Sequence, residues 1–324
     1  MSYYAIHNPV GCILFFVETY NQKDEKLKRE NFNVWSKFQY PSISFDNQNE
    51  IFEKFKDKLN LDIKILDDVF INLGWQTHYI LPILASSISL AIKSGLIIEN
   101  ERKIILTKLG EFLLKKNEYN NYLNSIHFKA NFWKNNNVKI TDDENVGSGF
   151  FIDENTLVTC KHVYYGLDKS KIYYEDEEGK RYTIDKLIPH PNDKIDIIKL
   201  VTNEKFNNFT YSIEEEVILT EKVIVFGYPP IPLSSKPFLL ANLGEISSIV
   251  DNYLDGTDCI ILSCLLRPGN SGGPIINENG KLVGISVQNR SRKMDLTWEN
   301  MSEIDFNKGL GYATGLCSKY INEF

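Results

Sequence analysis

The stretch Leu266–Ile276, L-R-P-G-N-S-G-G-P-I-I, places one serine between glycines and ahead of an apolar strand. Glycine permits backbone conformations that a side chain forbids, and Pro274 stiffens the exit into the strand. Such a loop can aim the amides of Gly269 and Ser271, with Asn270 between them, at one point beside the serine hydroxyl. That arrangement is an oxyanion hole next to a candidate nucleophile. A glycine-rich tight turn in a β protein is the structural alternative.

A serine hydroxyl becomes a nucleophile beside a base, and the base needs an acid that orients it. The segment Gly147–Val163 predicts a strand, a polar turn and a second strand that ends just before His162. We expect His162 to be the base. Asp196 directly precedes an apolar strand in K-I-D-I-I-K-L and is the preferred acid. Asp193 is its competitor, and His190 is a weaker rival to His162.

These blocks resemble the trypsin-like (chymotrypsin-fold) serine proteases, in particular the compact bacterial branch that includes the HtrA enzymes. The hexapeptide G-N-S-G-G-P is similar to the family's nucleophile loop, T-C-K-H to its T-x-x-H block, and D-I-I-K-L to its D-I-A-x-L segment. The resemblance covers about Asn136–Phe324. It implies an all-β double β-barrel with a triad of His162, Asp196 and Ser271 between the barrels. It also implies a serine endopeptidase, which needs no metal or cofactor.

The substrate pocket is expected beside the nucleophile loop. Its predicted lining comes from three segments: Leu265, Leu266, Ser286, Val287, Gln288, Gly311, Tyr312 and Ala313. Because no acidic residue is among them, we expect a preference for a small or apolar side chain before the scissile bond. The loop 290–308 carries Asp295, Glu299 and Glu303, and, folded over the site, it would select a basic side chain instead.

The residue before the serine bears on activation. Digestive-type relatives carry an aspartate there, which forms an ion pair with a new N-terminus after zymogen cleavage, whereas this chain has Asn270. An asparagine has no charge to offer such a partner, so activation by propeptide removal is not expected. We expect instead that a protein partner or a conformational change, acting through the N-terminal region, orders the Gly269 loop.

Length, charge and cysteines set the broad class. The 324 residues suffice for about two domains, and 43% hydrophobic with 24% charged residues is ordinary for a globular protein. A net charge of −7 and a pI near 5.4 argue against a general binder of nucleic acids or acidic membranes. Five cysteines without a C-x-x-C pair indicate neither a disulfide framework nor a structural zinc site. With no signal peptide recognisable, we expect a cytoplasmic protein that acts on a protein substrate.

The N-terminal region is expected to be mainly helical. A helix over 81–93 with Pro82 in its first turn, a stop at Gly95, a hairpin turning at 100–102 and a helix capped by Thr107 together resemble a winged helix-turn-helix. The helix before the wing offers a single lysine to read bases. Protein contact is therefore favoured over DNA binding.

Three regions follow from these patterns. They are a winged-helix-like regulatory or partner-binding domain (1–116), a connector rich in asparagine and aromatics (117–137) and a trypsin-like serine protease domain (138–324). The opening N-P-V-G and the winged-helix-like segment also resemble the middle components of bacterial three-component ABC-ATPase conflict systems. That resemblance implies a regulated effector protease of anti-phage defence. A catalytically silent protease-like adaptor and a winged-helix DNA-binding regulator remain alternatives.

Overall fold

The computed structural model describes residues 9–39, 43–56, 58, 61–74, 77–100, 103–234, 236–251, 256–287 and 313–324. The chain divides into two compact units, 1–126 and 127–324. The loop 290–308 and three of the predicted pocket residues, Gln288, Gly311 and Tyr312, lie outside the described residues.

Helices dominate the first unit. They are α1 (Pro9–Tyr20), α2 (Glu25–Gln39), α3 (Phe45–Phe55), α4 (Ile63–Asn72), α5 (Thr77–Lys93), α6 (Lys108–Lys116) and α7 (Tyr119–Asn124). A hairpin of β1 (Ile97–Asn100) and β2 (Lys103–Leu106) lies between α5 and α6.

An aromatic cluster forms the core of the first unit. The ring of Phe16 on α1 lies 4.4 Å from that of Trp35 on α2, and Phe70 on α4 meets Trp35 edge-on with the ring centres 5.4 Å apart. The indole N–H of Trp35 donates to the carbonyl of Cys12 at 2.9 Å. Large aromatic side chains with a satisfied polar group contribute strongly to core stability, so this cluster holds α1, α2 and α4 together.

The last part of the first unit has the expected order of helix, hairpin and helix. Gly95 follows α5 with φ at +69°, and the Thr107 hydroxyl caps α6 by accepting a hydrogen bond from Gly110 N at 3.0 Å. The expected start of α5 was wrong: the helix begins at Thr77, so Pro82 lies inside it. A proline inside a helix removes one backbone hydrogen bond. In the first turn, where the sequence predicted it, a proline removes none. The winged-helix assignment stays a prediction.

Strands dominate the second unit, and α8 (Ile126–Trp133) and a short 3-10 turn (Lys134–Asn136) come before its first strand. The strands are β3 (Asn137–Thr141), β4 (Val146–Phe151), β5 (Thr156–Thr159), β6 (Tyr173–Asp176), β7 (Arg181–Tyr182), β8 (Ile184–Pro189), β9 (Ile198–Thr202), β10 (Lys222–Gly227), β11 (Leu240–Asp251), β12 (Asp258–Leu262), β13 (Pro274–Asn277), β14 (Leu282–Val287) and β15 (Ala313–Cys317). Two short helices, α9 (Lys161–Gly166) and α10 (Lys319–Asn322), accompany them.

The strands form two antiparallel sheets. The first has the order β7-β6-β3-β4-β5-β9-β8 and is nearly closed, and the second is a closed barrel with the order β10-β11-β12-β15-β14-β13. Inward-facing residues such as Ile140 and Leu157 in the first sheet and Ile260 and Ile285 in the second are fully buried. The expected fold, a double β-barrel after a helical N-terminal region, is thereby confirmed.

Each of the five cysteines lies in the described ranges, and none of them forms a disulfide. Within those same ranges, the helices are too short or too polar to traverse a bilayer.

One buried carboxyl group next to the second barrel makes the stability of the protein depend on pH. Glu221, just before β10, is only 8% exposed, and one of its carboxylate oxygens has no hydrogen-bond partner among the described residues. Burial, and next the charges of Glu278 and Glu214, raise the pKa of Glu221 to about 7, against a hydrogen bond from Asn277 that lowers it. The folded chain therefore binds this proton more tightly than the unfolded chain, and stability falls as pH rises from about 4.5 through 7.

Glu221→Gln is expected to stabilise the protein at pH 8 by about 1–2 kcal/mol and to change little at pH 5, because the amide carries no charge to desolvate. Urea unfolding of the full chain at the two pH values measures this. Glu245→Gln, which alters an exposed carboxyl on β11, is the matched control and should leave the pH dependence unchanged. Equal effects of Glu221→Gln at both pH values would contradict the assignment.

Candidate functional site

A histidine and an aspartate meet where two paired strands of the first sheet end. The pairing of β5 with β9 sets Thr159 opposite Ile198. The residues that follow Thr159 therefore lie beside those that precede Ile198. His162, the second residue of α9, donates its backbone N–H to Asp196 Oδ1 at 2.9 Å, and its ring Nδ1 lies 2.5 Å from Asp196 Oδ2. These two contacts fix the orientation of the imidazole, whose side chain stays 23% exposed.

Ser271 is tied to the same sheet through its backbone. Its carbonyl accepts a hydrogen bond from Ser148 N on β4 at 2.9 Å. The Ser148 carbonyl in turn accepts from the hydroxyl of Thr159 at 2.6 Å, three residues before His162. A serine that precedes a strand of the second barrel is thus held against the end of β5 in the first sheet.

Two glycines of the nucleophile loop have backbone conformations that favour glycine. Gly269 has φ at +96° and Gly272 at +86°. A Cβ on Gly272 would lie 2.1 Å from the carbonyl oxygen of Ser148, so a side chain there would clash with backbone. The amide of Gly269 takes part in no backbone hydrogen bond among the residues that the structure describes. The role of this amide in an oxyanion hole stays a prediction.

His162 and Ser271 line one cavity of about 610 Å³, and Gly269 contributes to the same wall. The opposite walls come from the β3–β4 hairpin and from the loop that follows β10. A cavity of this size accommodates several side chains of an extended peptide. His162, Gly269 and Ser271 thus border one space.

Residues 147–285 match the family model described as a trypsin-like peptidase domain. The second unit carries a trypsin-like peptidase domain. Solved structures similar to this chain include an inactive form of Rv3671c from M. tuberculosis H37Rv that carries a serine-to-alanine mutation, at 17% identity and a TM-score of 0.44 over 60% of this chain and 86% of that chain. An inactive form of the Rv3671c protease is similar at 18% identity and a TM-score of 0.44, over 60% of this chain and 89% of that one.

Asp193 and His190, the alternatives to Asp196 and His162, lie in different surroundings. The carboxylate of Asp193 is fully exposed and lies 4.0 Å from Lys161 Nζ. His190 is buried, and its Nε2 lies 3.1 Å from Glu323 Oε2 while its Nδ1 accepts from a backbone amide. Neither rival lines the cavity that His162 and Ser271 share.

Asn270, the middle residue of the predicted oxyanion segment, has a different environment from Gly269 and Ser271. Asn270 is 2% exposed, and its N–H donates to Arg267 O at 3.0 Å instead of facing the cavity. Its side-chain oxygen packs against Gly227, where a Cβ would lie 2.5 Å away, and it has no hydrogen-bond partner among the described residues. The side chain of Asn270 is therefore buried against the end of β10.

The predicted pocket residues that the structure describes do not line this cavity. Of those described, Leu265 is 63% exposed, Leu266 and Val287 are half-buried, and Ala313 is buried. Ser286 is fully buried, and its hydroxyl donates to the carbonyl of Asn270 at 2.6 Å. Its side chain therefore supports the nucleophile loop.

Sequence reasoning missed the walls of the cavity. They include Lys139, Asp143 and Glu144 from the β3–β4 hairpin and Ile231 and Lys236 from the loop after β10. The P-P-I-P run at 229–232 was the available signal, because clustered prolines indicate a rigid loop. The sequence of the β3–β4 hairpin gave no such indication, because its position beside His162 depends on how the strands of the first sheet pair.

Charges of both signs line the cavity. Tyr173 donates its hydroxyl to Asp143 Oδ1 at 2.9 Å, and burial, followed by that carboxylate, raises the pKa of Tyr173. Lys139 lies 2.9 Å from Glu175, and its hydrogen bond holds the pKa of that carboxyl below the usual value. Glu144 and Lys236 are exposed at the cavity edge and can contact a charged substrate residue.

Cys160, His162 and Asp196 are the one group of potential metal ligands found among the described residues, with donor atoms within 4.8 Å of one another. The contact between His162 and Asp196 already accounts for two of these three side chains. Cys160 is fully buried behind them, with its Sγ 3.5 Å from Ser286 O. We derive no metal-dependent step from this group.

Proposed function

We propose that this chain is a serine endopeptidase in which Ser271 is the nucleophile, His162 the general base and acid, and Asp196 the residue that orients His162. The observation that carries the proposal is the 2.5 Å contact between His162 Nδ1 and Asp196 on the wall of a cavity that Ser271 also lines. The trypsin-like peptidase match over 147–285 supports it. A protein is the proposed substrate.

The proposed reaction is acyl transfer. Ser271 Oγ bonds to the carbonyl carbon of the scissile peptide while its proton passes to His162 Nε2, and the Nδ1 proton stays directed at Asp196. The amides of Gly269 and Ser271 stabilise the negative charge on the carbonyl oxygen. As the C–N bond breaks, His162 returns the proton to the leaving amine. Water then attacks the acyl-enzyme by the same proton transfers, which releases the acid and restores the serine.

The proposal is tested by covalent labelling of the full chain with a fluorophosphonate probe and peptide mapping of the adduct. A competent serine peptidase is labelled at Ser271, because the probe requires an activated serine and an oxyanion hole. Absence of labelling and of casein cleavage, both in the purified chain and in phage-infected cells that contain it, would favour the catalytically silent adaptor.

For the substrate pocket we keep the prediction of a small or apolar residue before the scissile bond. We propose that the cavity of about 610 Å³ receives substrate residues on one side of that bond. Cleavage-site mapping of casein peptides by mass spectrometry tests the preference. Frequent cleavage after lysine or arginine would contradict it.

We further propose that the first unit binds a regulatory protein and controls the peptidase as an effector of anti-phage defence in the bacterial cytoplasm. The described outward positions of α5 support protein contact, since Ala85, Ser86, Ser89 and Leu90 are exposed and Lys93 is the single basic residue among them. DNA binding would need more arginine or lysine on this face. A salt-dependent gel shift of duplex DNA by the full chain would favour the DNA-binding regulator instead.

Control through the first unit predicts a difference between the full chain and residues 127–324 alone. We expect phage infection of the host to raise fluorophosphonate labelling of the full chain at least tenfold, because a partner then orders the Gly269 loop. The isolated unit should not respond. If residues 127–324 are labelled as fast as the full chain in infected cells, the control model is wrong. Ser271→Ala in both forms corrects for background labelling.

A further inference from the structure

Ser148, at the middle of the G-S-G triplet 147–149 on β4, is 1% exposed and uses all its polar groups around the active site. Its hydroxyl donates to the carbonyl of Gly269 at 2.6 Å and accepts from the N–H of Tyr228 at 2.9 Å. Its backbone N–H donates to Ser271 O at 2.9 Å, and its carbonyl accepts from Thr159 at 2.6 Å. One residue of the first sheet therefore contacts the nucleophile loop and the loop after β10.

The direction of the Ser148 hydroxyl is determined by its two partners. A hydroxyl has one hydrogen to donate. Because the Tyr228 N–H is itself a donor, it occupies a lone pair of the oxygen, and the hydroxyl hydrogen is left for Gly269 O. The 2.6 Å separation is at the short end of the range for O–H···O bonds. Ser148 is buried, and removal of its hydroxyl takes away the hydrogen bond that the Gly269 carbonyl accepts from β4.

Gly269 needs such a restraint more than another residue would. With φ at +96°, and without a side chain, it can rotate between backbone conformations that differ little in energy. Rotation here turns the Gly269 amide away from the point at which an oxyanion forms. A bond to the Gly269 carbonyl opposes that rotation from within the first sheet, at a distance from the substrate.

We propose that Ser148 is a positioning residue that holds Gly269 in the conformation competent to stabilise the oxyanion. The inference rests on the proposed function, because it requires Ser271 to be the nucleophile. Ser148 lies beneath the loop and touches no reacting atom. Its hydrogen bonds join β4 of the first sheet to the nucleophile loop of the second barrel. The oxyanion hole therefore forms only when β4 and this loop are correctly placed relative to one another.

The test is Ser148→Ala in the full chain. We expect kcat for fluorescein-labelled casein to fall ten- to a hundredfold with KM within a factor of two, because loss of one oxyanion donor lowers kcat by about 10²–10³ and here the donor is misplaced, not deleted. The rate of fluorophosphonate labelling at Ser271 should fall by a similar factor. Ser148→Cys fills the space with a weak donor and should show the same loss, which excludes a cavity as the cause.

Ser318→Ala is the matched control. Ser318 is fully buried, and its hydroxyl donates to Glu214 O at 2.6 Å, yet it does not line the cavity. Both alanine variants should lower the melting temperature, whereas Ser318→Ala should keep kcat within a factor of two.

Three outcomes separate the possibilities. Wild-type rates in folded Ser148→Ala would overturn the inference and leave the proposed function intact. An equal loss of kcat in Ser318→Ala would also overturn it, since general destabilisation would then explain the effect. A wild-type chain that neither cleaves casein nor reacts at Ser271 would remove the proposed function, and this inference with it.

Discussion

Ser271→Ala is expected to abolish casein cleavage and fluorophosphonate labelling. In the serine-protease mechanism the loss of the nucleophile lowers kcat by about 10⁶, because the hydroxyl forms the covalent intermediate and no neighbouring group replaces it. The fold should be retained, since the contacts that hold the loop are made by the Ser271 carbonyl and by flanking residues. Initial rates on fluorescein-labelled casein, with circular dichroism of the same samples, measure both effects.

Ser170→Ala is the control for this prediction. Ser170 is an exposed serine after α9 whose hydroxyl contacts Asp168 only within its own turn. It should cleave at the wild-type rate. Substantial cleavage by purified Ser271→Ala would show that a different residue is the nucleophile.

Asp196→Asn is expected to lower kcat by about 10⁴ at pH 7 to 8. Asp196 accepts from the backbone N–H of His162 at 2.9 Å and holds the ring Nδ1 at 2.5 Å. An asparagine at this place can present its NH₂ group to Nδ1, and the imidazole then carries its proton on Nε2, where it cannot accept one from serine. The geometry stays similar, so the loss should lie in kcat and not in stability.

Asp193→Asn discriminates between the two candidate acids. The Asp193 side chain is fully exposed, 4.0 Å from Lys161 Nζ, so its substitution should change kcat by less than twofold. Steady-state kinetics of both variants on labelled casein provide the comparison. A large loss in Asp193→Asn with normal turnover by Asp196→Asn would reverse the assignment of the acid.

The sequence predicted the second unit well because its signals are local. The strand, turn and histidine order of 147–163 and the acid ahead of β9 are features of short segments. Their convergence follows from one antiparallel pair, β5 with β9, which places Thr159 opposite Ile198. The two-barrel fold was implied by the family resemblance, since short strands between turn residues indicate sheets but not how the sheets close.

Other features depend on tertiary contacts that no local pattern encodes. Ser286 was predicted to line the substrate pocket, yet its hydroxyl bonds to the carbonyl of Asn270. Ser148 carried no signal either, because its partner Gly269 lies far along the chain. The sequence alone does not show whether a hydroxyl in a strand lines a pocket or bonds to another segment, because that depends on what packs beside the strand. The start of α5 at Thr77, which encloses Pro82, was likewise not indicated by the local sequence, since a proline usually lies in the first turn of a helix.

The most direct test of the account is a crystal structure of the full chain after reaction with a fluorophosphonate. We predict phosphorus bonded to Ser271 Oγ, a phosphoryl oxygen about 2.7–3.1 Å from the amides of Gly269 and Ser271, and His162 Nε2 facing Ser271 Oγ. Phosphorus on another residue, or His162 turned away from Ser271 with its contact to Asp196 broken, would contradict it.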